Sequence, residues 1–199
     1  MYDKPKDIIN LIKNAIKDDI KNGSLAFLLL TSKSEHYIRD KVAIKLYQDR
    51  ELRKKRFLVS REWGKRIDLA IIEEKNKPKV LIEFKLCNVA EGIPGFAKEI
   101  KKDIGKLFWG KPYPHRFIVF MTLLPNKQID ERFENIVKYY DYFNGFRGGF
   151  KERKEKIRYS IEGLSDKRYR NSWQFKELQI GKFYGHTNLS LIFGVLHLT

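Results

Sequence analysis

The chain has 199 residues, 42% hydrophobic and 33% charged, with no low-complexity tract, which places it among globular proteins and away from disordered ones. That length fits one domain, burying roughly 70% of its unfolded surface, and speaks against two independent ones. A formal charge of +16 favours a polyanionic partner through counterion release and steering, with nucleic acid the first candidate; a merely solubilising basic surface is the alternative.

In chain order, residues 5–22 carry Ile8, Ile9, Leu11, Ile12, Ala15, Ile16 and Ile20 at the spacing of an amphipathic packing helix that stops at Asn22-Gly23. The apolar run Leu25 to Leu30 fits either a short helix or a buried strand. Ser34 predicts an N-cap for a helix from Glu35 to Gln48, with Ile38, Val42, Ala43 and Leu46 inward and Glu35 in its first turn. RFLVS, IDLAIIE and KVLIEFKL then predict a three-strand meander, with Pro78 at the start of the last strand.

Residues 96–109 predict a helix with Phe96, Ile100, Ile104, Leu107 and Phe108 inward, followed by a strand at FIVFMTLL. A further helix is expected from about Asn126 to Tyr142, broken by the glycines of NGFRGGF. Of the last fifty residues only the terminal run LSLIFGVLHL reads clearly, as a strand. The order predicts an α/β (α+β) layered domain, a mixed sheet with helices on both faces.

The longest apolar stretch is too short to span a bilayer and the N-terminus lacks a signal-peptide layout, so a cytoplasmic location without membrane contact is expected. The single cysteine, Cys87, excludes an internal disulfide and a cysteine-built metal site, and four dispersed histidines argue against a histidine zinc site.

The chemistry concentrates where Asp68 and Glu83-Phe84-Lys85 interrupt two strands that otherwise read as buried, because charge in such a setting is costly unless compensated. A divalent cation compensates two carboxylates naturally, and Lys85 beside them can hold a phosphate or help deprotonate a water. A tight hairpin centred on Lys75-Asn76 would set Glu73 opposite Pro78 and Asp68 opposite Glu83. The two carboxylates would then share one sheet face, and Lys85, two residues on, would project to it as well. A one-residue bulge would break that register. The alternative is an exposed face on which Asp68 and Glu83 pair with neighbouring Lys or Arg.

An acidic residue on one strand, followed by Glu-x-Lys on the next within a helix, three strands, helix, strand order, resembles the PD-(D/E)xK nuclease superfamily with its restriction-endonuclease-like fold. The resemblance covers about residues 34–122 and is best over RIDLAIIEEKNKPKVLIEFKL; Ile67 stands where the motif has proline. It implies Mg2+, with Mn2+ as a substitute, bound by Asp68, Glu83, Glu35 and the main-chain carbonyl of Phe84. It also implies that Lys85 orients or activates the attacking water, that Lys98, Lys102 and Lys106 form a stripe facing the nucleic-acid backbone, for which a solvated helix face is the alternative, and that a homodimer serves to cut two strands.

The remaining signals are less specific. His36 points away from Glu35 as its helix neighbour, and Asp40 and Asp103 read as surface pairs. The basic segments 50–56 and 147–158, including Arg147, Lys151 and Arg153, can grip phosphates. Tyr159, Tyr169 and Trp173 either stack on unpaired bases or belong to the core. The whole reads as one nuclease-like domain, with an elaboration over about residues 145–199, that cleaves phosphodiesters in DNA as a restriction-type or a junction- or structure-specific endonuclease. A non-catalytic nucleic-acid-binding protein and a ribonuclease are the competing readings.

Overall fold

A computed structural model describes residues 2–32, 34–64, 67–73, 77–87, 93–108, 115–145, 147–164 and 173–198; the side chains of 93–98, 108 and 164 lie outside the description. At its centre is a six-stranded mixed sheet in the order β1-β2-β3-β4-β6-β5, built from β1 (Leu58–Trp63), β2 (Ile67–Glu73), β3 (Lys77–Cys87), β4 (His115–Pro125), β5 (Trp173–Phe183) and β6 (Thr187–Leu198). All neighbours run antiparallel except β3 and β4, whose parallel pairing is joined through helix α6 (Ile93–Phe108).

Alternation along the strands sorts the core into two faces. Leu69, Ile71, Val80, Ile82 and Phe84 point to a cluster covered by α1 (Pro5–Ala15), α3 (Ser24–Thr31) and α4 (Glu35–Tyr47). Ala70, Ile72, Leu81 and Cys87 point to a second cluster, which receives Ile100 and Leu107 from α6 and Ile157 and Ile161 from α8 (Phe150–Leu164). The mixed sheet flanked by helices agrees with the expectation from sequence. No helix among the described residues is long and apolar enough to cross a membrane.

The four residues expected on the inner face of α4 are all buried there. The expected helix over 5–22 is two helices, α1 and α2 (Lys17–Lys21), because Ile16 leaves helical geometry at φ −106° and ψ 5°. The run at Leu25 resolves as helix α3: Gly23, at φ 77°, turns the chain into it, and Leu25, Ala26, Leu29 and Leu30 bury one side while Phe27 stays 45% exposed. The basic segment at residue 50 forms α5 (Arg50–Lys54), whose N-cap Asp49 accepts the amides of Glu51 and Leu52 at 2.8 and 3.3 Å. That helix delays the first strand, which starts at Leu58.

The helix expected over 126–142 does not form. Ile129, Phe133 and Val137 are buried at a spacing of four, which imitates a helical stripe, but partners outside the stripe hold the backbone at Ile129 and Lys138. The Asn144 side chain bonds both the amide and the carbonyl of Ile129, and the Lys138 amide donates to the Leu30 carbonyl of α3. Only a 3-10 turn at Glu131–Phe133 and α7 (Tyr140–Gly145) remain helical.

Candidate active site

The hairpin that carries the site reaches the expected register by an unexpected route. At its turn end Glu73 pairs with Lys77, not Pro78, and Ile72 pairs with Pro78; the expected turn residues Lys75 and Asn76 lie outside the described residues. A bulge between these pairs and Ile71↔Val80 adds one residue to β3 and restores the predicted offset, so Ala70 faces Leu81 and Leu69 faces Ile82. The offset turn and the bulge cancel, which brings Asp68 beside Glu83.

Backbone pairing gives way there to a side-chain clasp. The Asp68 amide donates to Glu83 Oε2 at 3.0 Å, and the Phe84 amide donates to Asp68 Oδ2 at 2.8 Å. One strand step further, the Leu86 amide donates to Glu35 Oε2 at 2.8 Å, from the first residue of α4. Phe84 and Leu86 address the same edge of β3, about 7 Å apart, so Asp68 and Glu35 stand side by side along it. The carbonyl of Phe84 leaves by that edge as well, since the amide and carbonyl of a strand residue point the same way.

The counter-charges come from the flanking helices. Lys106 Nζ of α6 lies 2.6 Å from Glu83 Oε1 and 2.6 Å from Asp103 Oδ1. Lys85 Nζ lies 3.1 Å from Glu99 Oε2 and 3.8 Å from Asp103 Oδ2. From α4, Arg39 brings one guanidinium nitrogen to 3.7 Å from Asp68 Oδ1. These cations do not fully offset burial. Desolvation, then the Asp68 charge, pushes Glu83 up to about 7 against the Lys106 bond. Burial raises Asp68 against the Phe84 amide and Arg39, and raises Glu35 against the Leu86 amide, with the Asp68 charge adding to the rise. Burial alone would lower Lys85, but its bond to Glu99 and the charges of Asp103, Glu35 and Glu99 outweigh that and hold it protonated.

Glu35, Asp68, Glu83 and Lys85 are therefore brought to one end of β3, while His36 is exposed. Asp40 pairs with Arg39 and Arg61 at 3.1 and 3.0 Å. Asp103 differs from expectation: it is 2% exposed and central, because Ile100, Ile104 and Leu107 share its side of α6. That spacing was readable as an acid on an apolar stripe, and Arg39, one turn after Glu35 among Ile38, Val42 and Ala43, carried the same kind of signal. The basic stripe is divided: Lys102 is exposed, Lys106 turns inward, and the side chain of Lys98 lies outside the described residues. Arg147 and Lys151 are exposed, whereas Arg153 is buried and donates to the Pro125 carbonyl at 2.9 Å, so it is not a surface phosphate ligand. Trp173 is core, Tyr159 is 71% exposed, and Tyr169 lies outside the described residues.

Among the described residues, no group of three or more His, Cys, Asp or Glu is gathered as a metal cage. The donor chemistry nonetheless fits a hard divalent cation: Asp68 and Glu83 offer carboxylate oxygens whose negative charge is under-compensated, and the Phe84 carbonyl opens to the same edge. Comparison of the chain with protein-family models, with curated proteins and with solved structures finds no match in any of the three.

Proposed function

We propose that this protein is a divalent-metal-dependent endonuclease of the PD-(D/E)xK type, with the restriction-endonuclease-like fold, that hydrolyses phosphodiester bonds in DNA. The observation that carries the reading is the clasp of Asp68 and Glu83 across the end of the β2–β3 ladder, both raised by burial, with Lys85 two residues beyond Glu83. Supporting it are the succession α4, β1, β2, β3, α6, β4, interrupted only by α5, and the charge of +16.

Asp68, Glu83 and the Phe84 carbonyl would hold Mg2+ or Mn2+, with Glu35 adjoining. A bound ion would supply Lewis acidity toward the phosphate and relief of its developing charge. Lys85, held protonated, acts as a hydrogen-bond donor that orients the attacking water or a phosphate oxygen; it does not serve as the proton acceptor in this state. Glu35, whose carboxyl is raised by burial, is the group suited to accept the proton of that water. Lys102, Arg147 and Lys151 are exposed cations available to the nucleic-acid backbone. Two copies would let one assembly cut both strands.

A second reading has its own support. Lys106 already bridges Glu83 and Asp103 with one internal positive charge, an arrangement compatible with a nucleic-acid-binding protein that has no turnover. The test incubates the protein with supercoiled plasmid, a four-way DNA junction and an RNA, in Mg2+, Mn2+ or EDTA, alongside Asp68→Ala and Lys85→Ala. Metal-dependent cutting of DNA that both substitutions abolish is expected. Cutting in EDTA, or cutting unchanged in both variants, refutes the mechanism. Binding without cutting on every substrate favours the second reading, and cutting of RNA alone makes the protein a ribonuclease.

A further inference from the structure

Two buried carboxylates at the site already share a cation, and the chain itself supplies it. Glu83 and Asp103 are each 2% exposed, and both face Lys106 Nζ at 2.6 Å. An ammonium bridging two carboxylate oxygens at that range fills the space a dehydrated ion would take between them. A magnesium ion, with oxygen ligands at about 2.1 Å, would need only a contraction of the same bridge. Glu83 is also the carboxylate that the metal-dependent reading needs, so the ammonium and the metal compete for Glu83 Oε1.

The side chain of Lys106 has somewhere to go. It is 29% exposed, unlike the two acids it joins, and Lys102, one turn earlier on α6, is on the surface. Four rotatable carbons let an ammonium leave such a bridge without moving the helix. Asp103 has no comparable freedom, since its side of α6 is packed through Ile100 and Leu107.

We propose that Lys106 is a built-in counter-cation: in the metal-free protein its ammonium occupies a cation position between Glu83 and Asp103, and an incoming divalent ion displaces it toward the surface beside Lys102. This inference rests on the metal-dependent reading of the site and adds two roles to it. Asp103 becomes a carboxylate that borders the ion, and Lys106 becomes a positioning residue that sets how readily the ion enters. The protein folds without metal because the bridge is closed internally, and metal binds more weakly than the carboxylates alone would allow, by the fraction of time the bridge stands open.

The test uses Mn2+ alone, without nucleic acid, and has two independent readouts. Calorimetric titration compares the unaltered protein with Lys106→Met and with Lys101→Met, which removes an exposed charge from the same helix. Lys106→Met is expected to bind Mn2+ at least about tenfold more tightly, since a bridge closed nine-tenths of the time costs that factor, and Lys101→Met to change affinity by less than about twofold. Amine acylation read by mass spectrometry on the unaltered protein is expected to find Lys106 protected in EDTA and labelled faster in saturating Mn2+. This second readout decides even if Lys106→Met does not fold. Unchanged or weaker affinity in Lys106→Met, or labelling of Lys106 indifferent to Mn2+, overturns the counter-cation role and leaves the metal site standing. No Mn2+ binding by either the unaltered protein or Lys106→Met overturns the metal-dependent reading and this inference with it.

Discussion

Replacing Glu83 with glutamine isolates the energetic consequence of burying this carboxylate. In the folded protein Glu83 titrates at about 7 against 4.5 for an ordinary glutamate, while its side chain is 3% exposed. The folded state therefore keeps the proton to higher pH than the unfolded chain does. Below pH 4.5 both states are protonated and Glu83 costs nothing; between 4.5 and about 7 the unfolded chain ionises first and stability falls; above about 7 the loss is complete. A tenfold difference in proton affinity between the two states is worth about 1.4 kcal/mol, so the full loss is about 3 kcal/mol. Glutamine cannot ionise, keeps an oxygen to accept the Asp68 amide, and stands in for the protonated carboxyl, while the pull of Lys106 on the ionised form is already contained in the value of about 7. Urea unfolding in EDTA from pH 4 to pH 8 should show Glu83→Gln within about 1 kcal/mol of the unaltered protein at the acid end, where both side chains are neutral. The difference should move in its favour by about 3 kcal/mol on reaching pH 8. Asp68 and Glu35, also raised by burial, leave a residual fall common to both proteins. Stability curves that stay parallel within about 0.5 kcal/mol across that range would show that Glu83 is not strained by burial, and would remove the electrostatic argument for a cation there.

Two further substitutions probe the site and the sheet. Glu35→Gln retains an acceptor for the Leu86 amide and should leave stability at pH 4, where the carboxyl is protonated, within about 0.5 kcal/mol, whereas Glu35→Ala strands that amide at a cost of about 1–3 kcal/mol. Cutting in Mn2+ should nevertheless fall about 10–100-fold in Glu35→Gln; equal activity in the unaltered protein and Glu35→Gln excludes this carboxylate from the reaction. Gly194 on β6 faces Phe175 of β5, and a methyl group there would meet Phe175 Cε1 at 2.8 Å and Trp173 Cε3 at 3.1 Å. Gly194→Ala should therefore destabilise by about 1–3 kcal/mol in urea; unchanged stability would contradict the seating of β5 on β6.

Much of the central architecture was legible because its local patterns agree with its tertiary surroundings. The inner face of α4 follows from its period and the strands at IDLAII and VLIEFKL from their apolar runs, and the charged residues that interrupt those strands marked the site. Period also misled at 126–142, where an apolar stripe spaced by four serves a segment held by Asn144 and by the Leu30 carbonyl, partners that no local reading supplies. It failed differently at β5, whose burial alternates irregularly on an edge strand, so that no run of Trp173–Phe183 announces itself.

The hairpin shows how far a register can be argued from sequence. Counting back from the turn predicted the offset at Leu69↔Ile82, next to Asp68, while missing both the turn closure at Glu73↔Lys77 and the bulge before Ile71↔Val80, two one-residue shifts of opposite effect. The hydrophobic pattern favours that outcome, because a one-residue offset near Leu69 and Ile82 would turn one strand's apolar side chains away from the α4 face.

By itself the sequence determined which groups stand at the end of β3: carboxylates at 68 and 83 and an amine at 85, on strands whose remaining residues demand burial. Tertiary structure decided what those groups meet. Arg39 approaches from α4 and Asp103 with Lys106 from α6, elements separated from the hairpin in sequence and placed against it by the two apolar faces of the sheet. The charge balance of the site depends on distances of a few ångströms between those elements, because electrostatic energy in a buried setting falls with separation and local periodicity carries no information about it.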